Sequence, residues 1–488
     1  LLQNAGTISF GGRNSIGIQI EADGSPDTKV QASNSNNIIL GGANSYGIKL
    51  SSRVANLTGT QKIVNNTGTI TIGGGSSAGI AVIEEAQNGT DRNAPNKLIR
   101  AYTDKVVNSG TINVNASQSS GMLLKINAPD NIVNEAGGTI NVNGHHNIGM
   151  RVDKGSVTTD ATGDPSAVNK SNIVVKGTAN IGMVSNGASK AQNTGGTITL
   201  TGTTGNSAGM YATGGGTVEN TGTITGSGLT DTTGISVDTG STGTSSGNIS
   251  LSGSRIAGVY NAGTFTMTGG NVTTNGTGAS IYAKGTANTN INAGTITSSG
   301  GSVGLFADDT STINLGTTTT APTLVTNSGG LMFYNNPTSS AGAQTNKFNL
   351  LHDVSGTVNS GGLAFYLKDV NTAAQLKTAL DNMILNKDLI LSLKNGSYLF
   401  TVKNSSIGAG TEMKLSELPG VTTSGLTSVG TRVKIDNATS GNDYKILKIT
   451  GGNILVDENV NLETVTDKYR RIDKESSSIK VASGKKIE

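Results

Sequence analysis

Apolar and polar residues alternate with a period of two in short stretches that return along the chain. Examples are Thr69-Ile70-Thr71-Ile72, Thr111-Ile112-Asn113-Val114, Thr139-Ile140-Asn141-Val142 and Thr197-Ile198-Thr199-Leu200. Successive side chains of a strand point to opposite faces, so branched apolar residues fall on one face and Thr or Asn on the other. Each stretch therefore predicts a half-buried strand. The stretches belong to a recurring phrase, Asn-Xaa-Gly-Thr-Ile, seen at Asn66 to Ile70, Asn108 to Ile112, Asn220 to Ile224 and Asn292 to Ile296, and with Phe in the last place at Asn261 to Phe265. Further on in each copy comes a small residue, a Gly and then Ile, Met or Val: Ala78-Gly79-Ile80, Ser120-Gly121-Met122, Ile148-Gly149-Met150, Ala208-Gly209-Met210 and Ala257-Gly258-Val259.

A unit of roughly 20 to 40 residues that cannot bury its own apolar face must stack on copies of itself. Because the chain winds, equivalent strands run in the same direction and pair in parallel, about 4.7 to 4.9 Å apart, with Ile on Ile inside and Thr or Asn on Thr or Asn outside. The predicted fold is all-β, a right-handed parallel β-helix, the hand following the general preference of parallel crossovers. The small-Gly pair is expected at a corner where the backbone takes positive φ or where neighbouring coils approach closely.

The spacings show which edge of the coil is constrained. From strand Ile to corner Gly the count is nine at Ile8 to Gly17, Ile38 to Gly47, Ile112 to Gly121, Ile140 to Gly149 and Ile173 to Gly182. From that Gly to the next strand Ile it runs from 15, Gly209 to Ile224, to 33, Gly79 to Ile112. Insertions, and with them any binding loops, collect on the return path. The two largest are 84–105, with Asp91, Arg92, Asn93, Lys97, Arg100 and Tyr102, and 151–170, with Arg151, Asp153, Lys154, Asp160 and Asp164. These are the candidate ligand-binding positions. Tyr46, Tyr211, Tyr260 and Tyr282 are further candidates for sugar stacking, the last two having core or edge packing as the simpler role.

Coils with these insertions are expected over 1–370, plainest between about 201 and 310. Leu331-Met332-Phe333-Tyr334 and Leu363-Ala364-Phe365-Tyr366 repeat each other after Asn-Ser-Gly-Gly. Beyond, 371–480 reads as a charged excursion or subdomain. It would hold a helix from Ala373 past Leu380 capped by Asn371 or Thr372, a hairpin of 389–393 and 398–402 around Asn395-Gly396, and a second helix over 462–479. Residues 481–488 look like the start of a further coil, and the chain opens already inside a repeat, so a piece of a longer protein is expected.

Composition narrows the chemistry. With 70 Gly in 488 residues, 7 Pro, no Trp and 3% aromatics, the chain has the makings of short strands, tight turns and a thin aliphatic core. Disorder would share the low aromatic content but would not hold Ile and Val in register. A net charge of +3 with mixed signs and no Lys/Arg run gives no nucleic-acid stripe. The absence of Cys excludes disulfides, thiol catalysis and Cys-ligated metals. No apolar run long enough to span a membrane is present.

Many β-helical proteins cleave polysaccharides, which takes carboxylates converging across adjacent coils. The pairs Glu84-Glu85 and Asp308-Asp309 are sequence neighbours without a clear partner one coil away, so they read as solvated loop carboxylates. A Ser-His-Asp site is disfavoured because the nearest phrase to Gly-Asp-Ser-Gly is Gly163-Asp164-Pro165-Ser166, with Pro165 in the nucleophile's place. His145-His146 lacks an evident third ligand, and Gly11-Gly12-Arg13-Asn14-Ser15 and Gly41-Gly42-Ala43-Asn44-Ser45 lack the Asp of calcium-binding β-rolls. No catalytic residue, metal or cofactor is expected.

The Asn-Xaa-Gly-Thr-Ile and Gly-Ile/Met phrases, the lack of Cys, and the passage Val460-Asn461-Leu462-Glu463 through Tyr469-Arg470-Arg471-Ile472 to Ser477-Ser478-Ile479 resemble the passenger region of large bacterial autotransporter adhesins, particularly the fusobacterial type. The resemblance implies type V secretion through a C-terminal outer-membrane barrel, which lies outside this sequence, and display on the cell surface. The implied partners are a host-cell receptor, protein or glycan, or the surface of another bacterium. On that reading about a dozen coils at roughly 4.8 Å each make a stalk of ~60 Å. A carbohydrate-active β-helix and an inert spacer are the alternatives.

Overall fold

The computed structural model describes residues 2–21, 31–51, 64–83, 106–126, 131–154, 164–308, 310–335, 347–368, 373–403, 412–414, 421–422, 425–426, 428–429, 431–436, 445–450, 453–459, 472–475 and 478–488. They fall into two compact units, Leu1–Ser254 and Arg255–Glu488.

In the first unit each coil has three strands. One coil is built from Val106–Asn108, Thr111–Val114 and Ser120–Ile126, and the next from Asn131–Asn134, Thr139–Val142 and Ile148–Lys154. Each strand pairs in parallel with its counterpart, with Val107 beside Val133, Ile112 beside Ile140 and Met122 beside Met150. The alternation is the cause: Ile70, Ile112, Ile140, Ile173, Ile198 and Ile224 form one aligned, fully buried column. The result is a parallel β-helix.

The corner glycines settle which of the two expected roles applies. Gly79, Gly121, Gly149 and Gly182 do not have positive φ. A Cβ on Gly121 would instead lie 2.6 Å from the carbonyl oxygen of Gly149, and one on Gly149 2.5 Å from that of Gly182. Glycine is needed there because backbones of adjacent coils meet.

A winding chain must turn three times per coil, and at a corner some backbone groups leave the strand ladder and need other partners. Two buried polar columns help to supply them. The Asn that opens each repeat phrase forms the first: Asn4 Nδ2 donates to Asn34 Oδ1 at 2.7 Å, and the same bond links Asn34 to Asn66, Asn66 to Asn108, Asn108 to Asn134, Asn134 to Asn169, Asn169 to Asn193 and Asn193 to Asn220. The second amide proton of several also reaches a corner carbonyl, as Asn108 does to Gly110 O at 3.2 Å. Asn220 passes its bond to the Ser245 hydroxyl at 3.3 Å. All the donors point the same way along the column, an arrangement in which each bond polarises the next. In the second column a backbone N–H reaches a side-chain oxygen one coil on: Ser45 N to Ser77 Oγ, Ser77 N to Ser119 Oγ, Ser119 N to Asn147 Oδ1 and Asn147 N to Asn180 Oδ1, at 2.7 to 3.1 Å.

The second unit uses the same parallel coil with different filling. The last residue of its first strands is Met267, Ile291, Leu315 and Leu350, aligned in register and buried, so an aliphatic column stands where the other unit carries Asn. Phe333 packs on Phe365 with centroids 5.3 Å apart and edge-on against Phe348 at 4.9 Å, all three fully buried.

The segment after 370 departs from expectation in three ways. The helix is present as Ala373–Met383, with Ala379, Leu380 and Met383 buried; Asn371 and Thr372 lie outside the described residues. The coil, however, resumes directly with Ile384–Leu385, beside Phe348 and Asn349, so 371–480 is not a continuous excursion. Nor do Leu389–Leu393 and Tyr398–Lys403 form a hairpin. The first lies parallel to Val354–Val358 and the second parallel to Leu363–Lys368, and each pairs onward with Val433–Ile435 and Lys445–Thr450. Asn395-Gly396 turns the chain as Ser360-Gly361 does one coil earlier, with Gly361 N bonded to Gly396 O at 2.9 Å; the ladder to neighbouring coils takes the hydrogen bonds that a hairpin would have used. Finally, the far half of the expected second helix is extended, Ile472–Glu475 and Ser478–Val481 pairing in parallel with earlier strands. A Ser-rich run has little to gain as helix when sheet partners are at hand.

Candidate functional site

In the first unit the stretches of sequence between a third strand and the next first strand are the long ones: 22–31 follow Ile16–Glu21, 52–63 follow Tyr46–Ser51, 84–105 follow Ala78–Ile83 and 155–165 follow Ile148–Lys154, so the insertion expected over 151–170 is shorter, its two ends lying in strands Ile148–Lys154 and Ser166–Asn169. Variable sequence is thus attached to one corner of the coil. Asp91, Arg92, Asn93, Lys97, Arg100 and Tyr102, and likewise Asp160, lie outside the described residues.

Arg151, Asp153 and Lys154 are described, and they are brought together at the end of strand Ile148–Lys154. Residues two apart on a strand share a face. Arg151 Nε accordingly donates to Asp153 Oδ2 at 2.9 Å, while Lys154 Nζ reaches Asp164 Oδ1 at 2.9 Å across the insertion. Lys125 is aligned with Asp153 one coil earlier. Asp153 is only 6% exposed, and its Oδ1 accepts no hydrogen bond among the described groups. The cluster is therefore a mostly internally neutralised charge network at the mouth of the insertion. Its cationic members, Lys125 and Arg151, remain accessible to a ligand.

Two further polar groups lie on neighbouring coils. Glu219 receives Lys190 Nζ at 2.6 Å and Gln192 Nε2 at 3.0 Å, and the Lys190 bond above all holds its carboxyl below the ordinary value of 4.5. Tyr211 donates to Asp238, which Thr213 Oγ1 also reaches at 2.9 Å; burial first, and then the Asp238 contact, raise the phenol. His145 and His146 are exposed, the latter with φ 57°, and no group of three His, Asp or Glu is gathered for a metal among the described residues. Asp309 and Glu84-Glu85 lie outside the described residues. The Tyr46 ring carries Lys49 Nζ 5.4 Å from its centroid, a cation–π contact.

In the second unit the sequence reading missed one surface feature. The residue two places after the corner position is Tyr260, Tyr282, Phe306, Tyr334 and Tyr366 in successive coils. Their rings stack face to face at 5.3, 4.6, 4.8 and 4.7 Å, with interplanar angles of 8° to 18°. All five are half-buried on the outer side of the strand. Lys284 hydrogen-bonds the Tyr260 phenol, which raises its ammonium above the ordinary 10.5, and burial raises the Tyr334 phenol. The signal was an aromatic at one repeat position in five consecutive copies.

The fold and these surfaces define a parallel β-helix with decorated corners. Residues 127–228 match a protein-family model described as the BigA third pectate lyase-like domain. The match covers the coils that carry Arg151, Asp153, Lys190, Glu219 and Tyr211. No curated protein and no solved structure matches the chain.

Proposed function

We propose that this chain is a non-enzymatic segment of a bacterial surface adhesin, a stiff β-helical stalk that presents recognition loops from one corner. The observation that supports this best is the contrast between corners. The corner between second and third strands is held by the glycine column and the Ser/Asn column, whereas the return path absorbs insertions as long as 84–105, and the Arg151–Asp153 network stands at the end of a third strand where one such insertion leaves the coil. Binding loops on a rigid scaffold are the usual arrangement for recognition. The match to a BigA domain supports placing the chain at the surface of a bacterium; anchoring in the outer membrane by a translocator elsewhere in the protein is part of the proposal. Partners on this reading are a host receptor or glycan, or another bacterium.

A second reading is favoured by the words pectate lyase-like in the matching description. Cleavage of a uronide chain takes a base and charge-stabilising groups facing the same sugar. Within 127–228 the described close charge pairs, Arg151–Asp153, Lys154–Asp164 and Lys190–Glu219, each set one carboxylate against a cation, and no three carboxylates or imidazoles meet among the described residues. The experiment is saturable binding of the 488-residue chain to host and bacterial cells, compared with a form lacking residues 84–105, alongside ultraviolet detection of unsaturated product from polygalacturonate. Binding lost with the loop supports the adhesin. Unchanged binding, or product formation, overturns it.

A further inference from the structure

The aromatic column of the second unit is an unassigned surface. Four of the chain's 10 Tyr and one of its 7 Phe stand in this single row. In the first unit the same repeat position is held by residues as different as Gln19, Lys49, Ala81 and Ser236, so the coil itself does not demand a ring there. Core filling does not explain the row either, because Val259, Ile281, Leu305, Phe333 and Phe365 point inward beside it and are buried.

The geometry restricts what can bind. Both faces of Tyr282, Phe306 and Tyr334 and the inner faces of Tyr260 and Tyr366 are covered by a neighbouring ring, so along the row the column offers ring edges and not faces. Sugars stack on aromatic faces, which removes that mode along the row. Ring edges carry the positive end of the aromatic quadrupole and attract the negative face of another π system in edge-to-face contact. The four spacings add to about 19 Å, so a molecule that follows the row must be elongated along the axis. Five partly covered rings expose on the order of 200 Å², too little for a stable protein pair, which buries about 800 Å² on each partner.

We infer that the row from Tyr260 to Tyr366 is a binding site for a flat, elongated aromatic molecule lying lengthwise across the stacked ring edges. This site is independent of the corner loops and of the adhesin reading. The test uses the full chain and thioflavin T, an elongated dye of two linked planar ring systems whose emission rises when binding stops rotation between them, read by fluorescence titration. Saturable enhancement at about one dye per chain is expected. The variant Tyr282→Ser/Phe306→Ser interrupts the row with the residue type found at Ser236, and is expected to weaken binding at least ~10-fold with an unchanged far-ultraviolet circular dichroism spectrum. Tyr282→Phe, which keeps the ring edge, is expected to bind as the parent does. If the double variant loses its spectrum, Tyr334→Ser alone is used and the same loss is expected. No saturable enhancement, equal binding by the interrupted row, or displacement of the dye by a linear β-linked glucan oligosaccharide would overturn the assignment.

Discussion

Replacing Asn134 by Ala tests the first buried column at its centre. The Asn134 side chain is fully buried, donates to Asn169 Oδ1 at 2.9 Å and Asn172 O at 3.2 Å, and accepts from Asn108 Nδ2 at 2.8 Å. After truncation Asn108 keeps only the longer bond to Gly110 O at 3.2 Å, and Asn169 Oδ1 keeps only Ser171 N at 3.3 Å. A buried polar group left short of a partner costs about 1–3 kcal/mol, so two such groups and a small void give roughly 3 kcal/mol. Asn143→Ala is the control. Its amide makes a bond of similar length, 2.9 Å to Asn115 Oδ1, but faces solvent, and its loss should cost under about 0.5 kcal/mol. A solenoid does not unfold as one cooperative block, so a global midpoint is the wrong readout. Hydrogen exchange followed by mass spectrometry over 131–142 gives the local opening energy. Asn134→Ala should speed exchange there about 100-fold, and Asn143→Ala less than about 3-fold. Rates for the two variants within a factor of about 3 of one another would show that the buried column contributes nothing that the outer one does not.

Gly149→Ala would push a methyl to within 2.5 Å of the Gly182 carbonyl, and since backbone cannot step aside, a loss of at least about 1–3 kcal/mol is expected from the same exchange measurement at 148–154 and 181–186. Phe333→Ala removes a ring packed on Phe348 and Phe365 and should cost about 3–5 kcal/mol, seen as early loss of structure in the second unit during denaturant titration. Glu219 has its folded pKa depressed by Lys190, so the stability it contributes is present above the ordinary value of 4.5 and is lost as pH falls through the lower folded value. Exchange at 217–220 should therefore accelerate on acidification in the parent and lose this acid-dependent component in Glu219→Gln; identical pH profiles would remove Glu219 as the cause.

The strands were legible because burial of one face imposes a period of two on every coil, and Ile112, Ile140 and Ile173 could fall in register no other way. The repeated Asn of the phrase was equally visible, but its role was not. Nothing in a linear pattern says that Asn66 and Asn108, 42 residues apart, exchange an amide bond while the Thr between them faces out. Asn395-Gly396 misled for a related reason: the dipeptide specifies a tight turn, and whether the flanking strands pair with each other or with neighbouring coils depends on which partners the winding provides. Of the candidate site, the sequence shows Arg151, Asp153 and Lys154 as charges near an insertion but not that they lie on a strand, where Arg151 and Asp153 share a face, nor that Lys154 meets Asp164 ten residues on. The aromatic row emerges only when residues are aligned by their place in the repeat, since Tyr260 and Tyr282 taken singly read as core or edge packing.

The asparagine column has a consequence for how such a chain changes over generations. Its bonds stay between 2.7 and 2.9 Å although the residues they join are separated by anything from 24 to 42 positions. Loss of residues 134 to 168 would leave Val133 followed by Asn169, whose carbonyl would meet the Asn108 amide just as Asn134 does now. Recombination between copies of the phrase therefore adds or removes whole turns without creating a new kind of contact, and a lineage can lengthen its reach or exchange one decorated corner for another while inheriting the same interior.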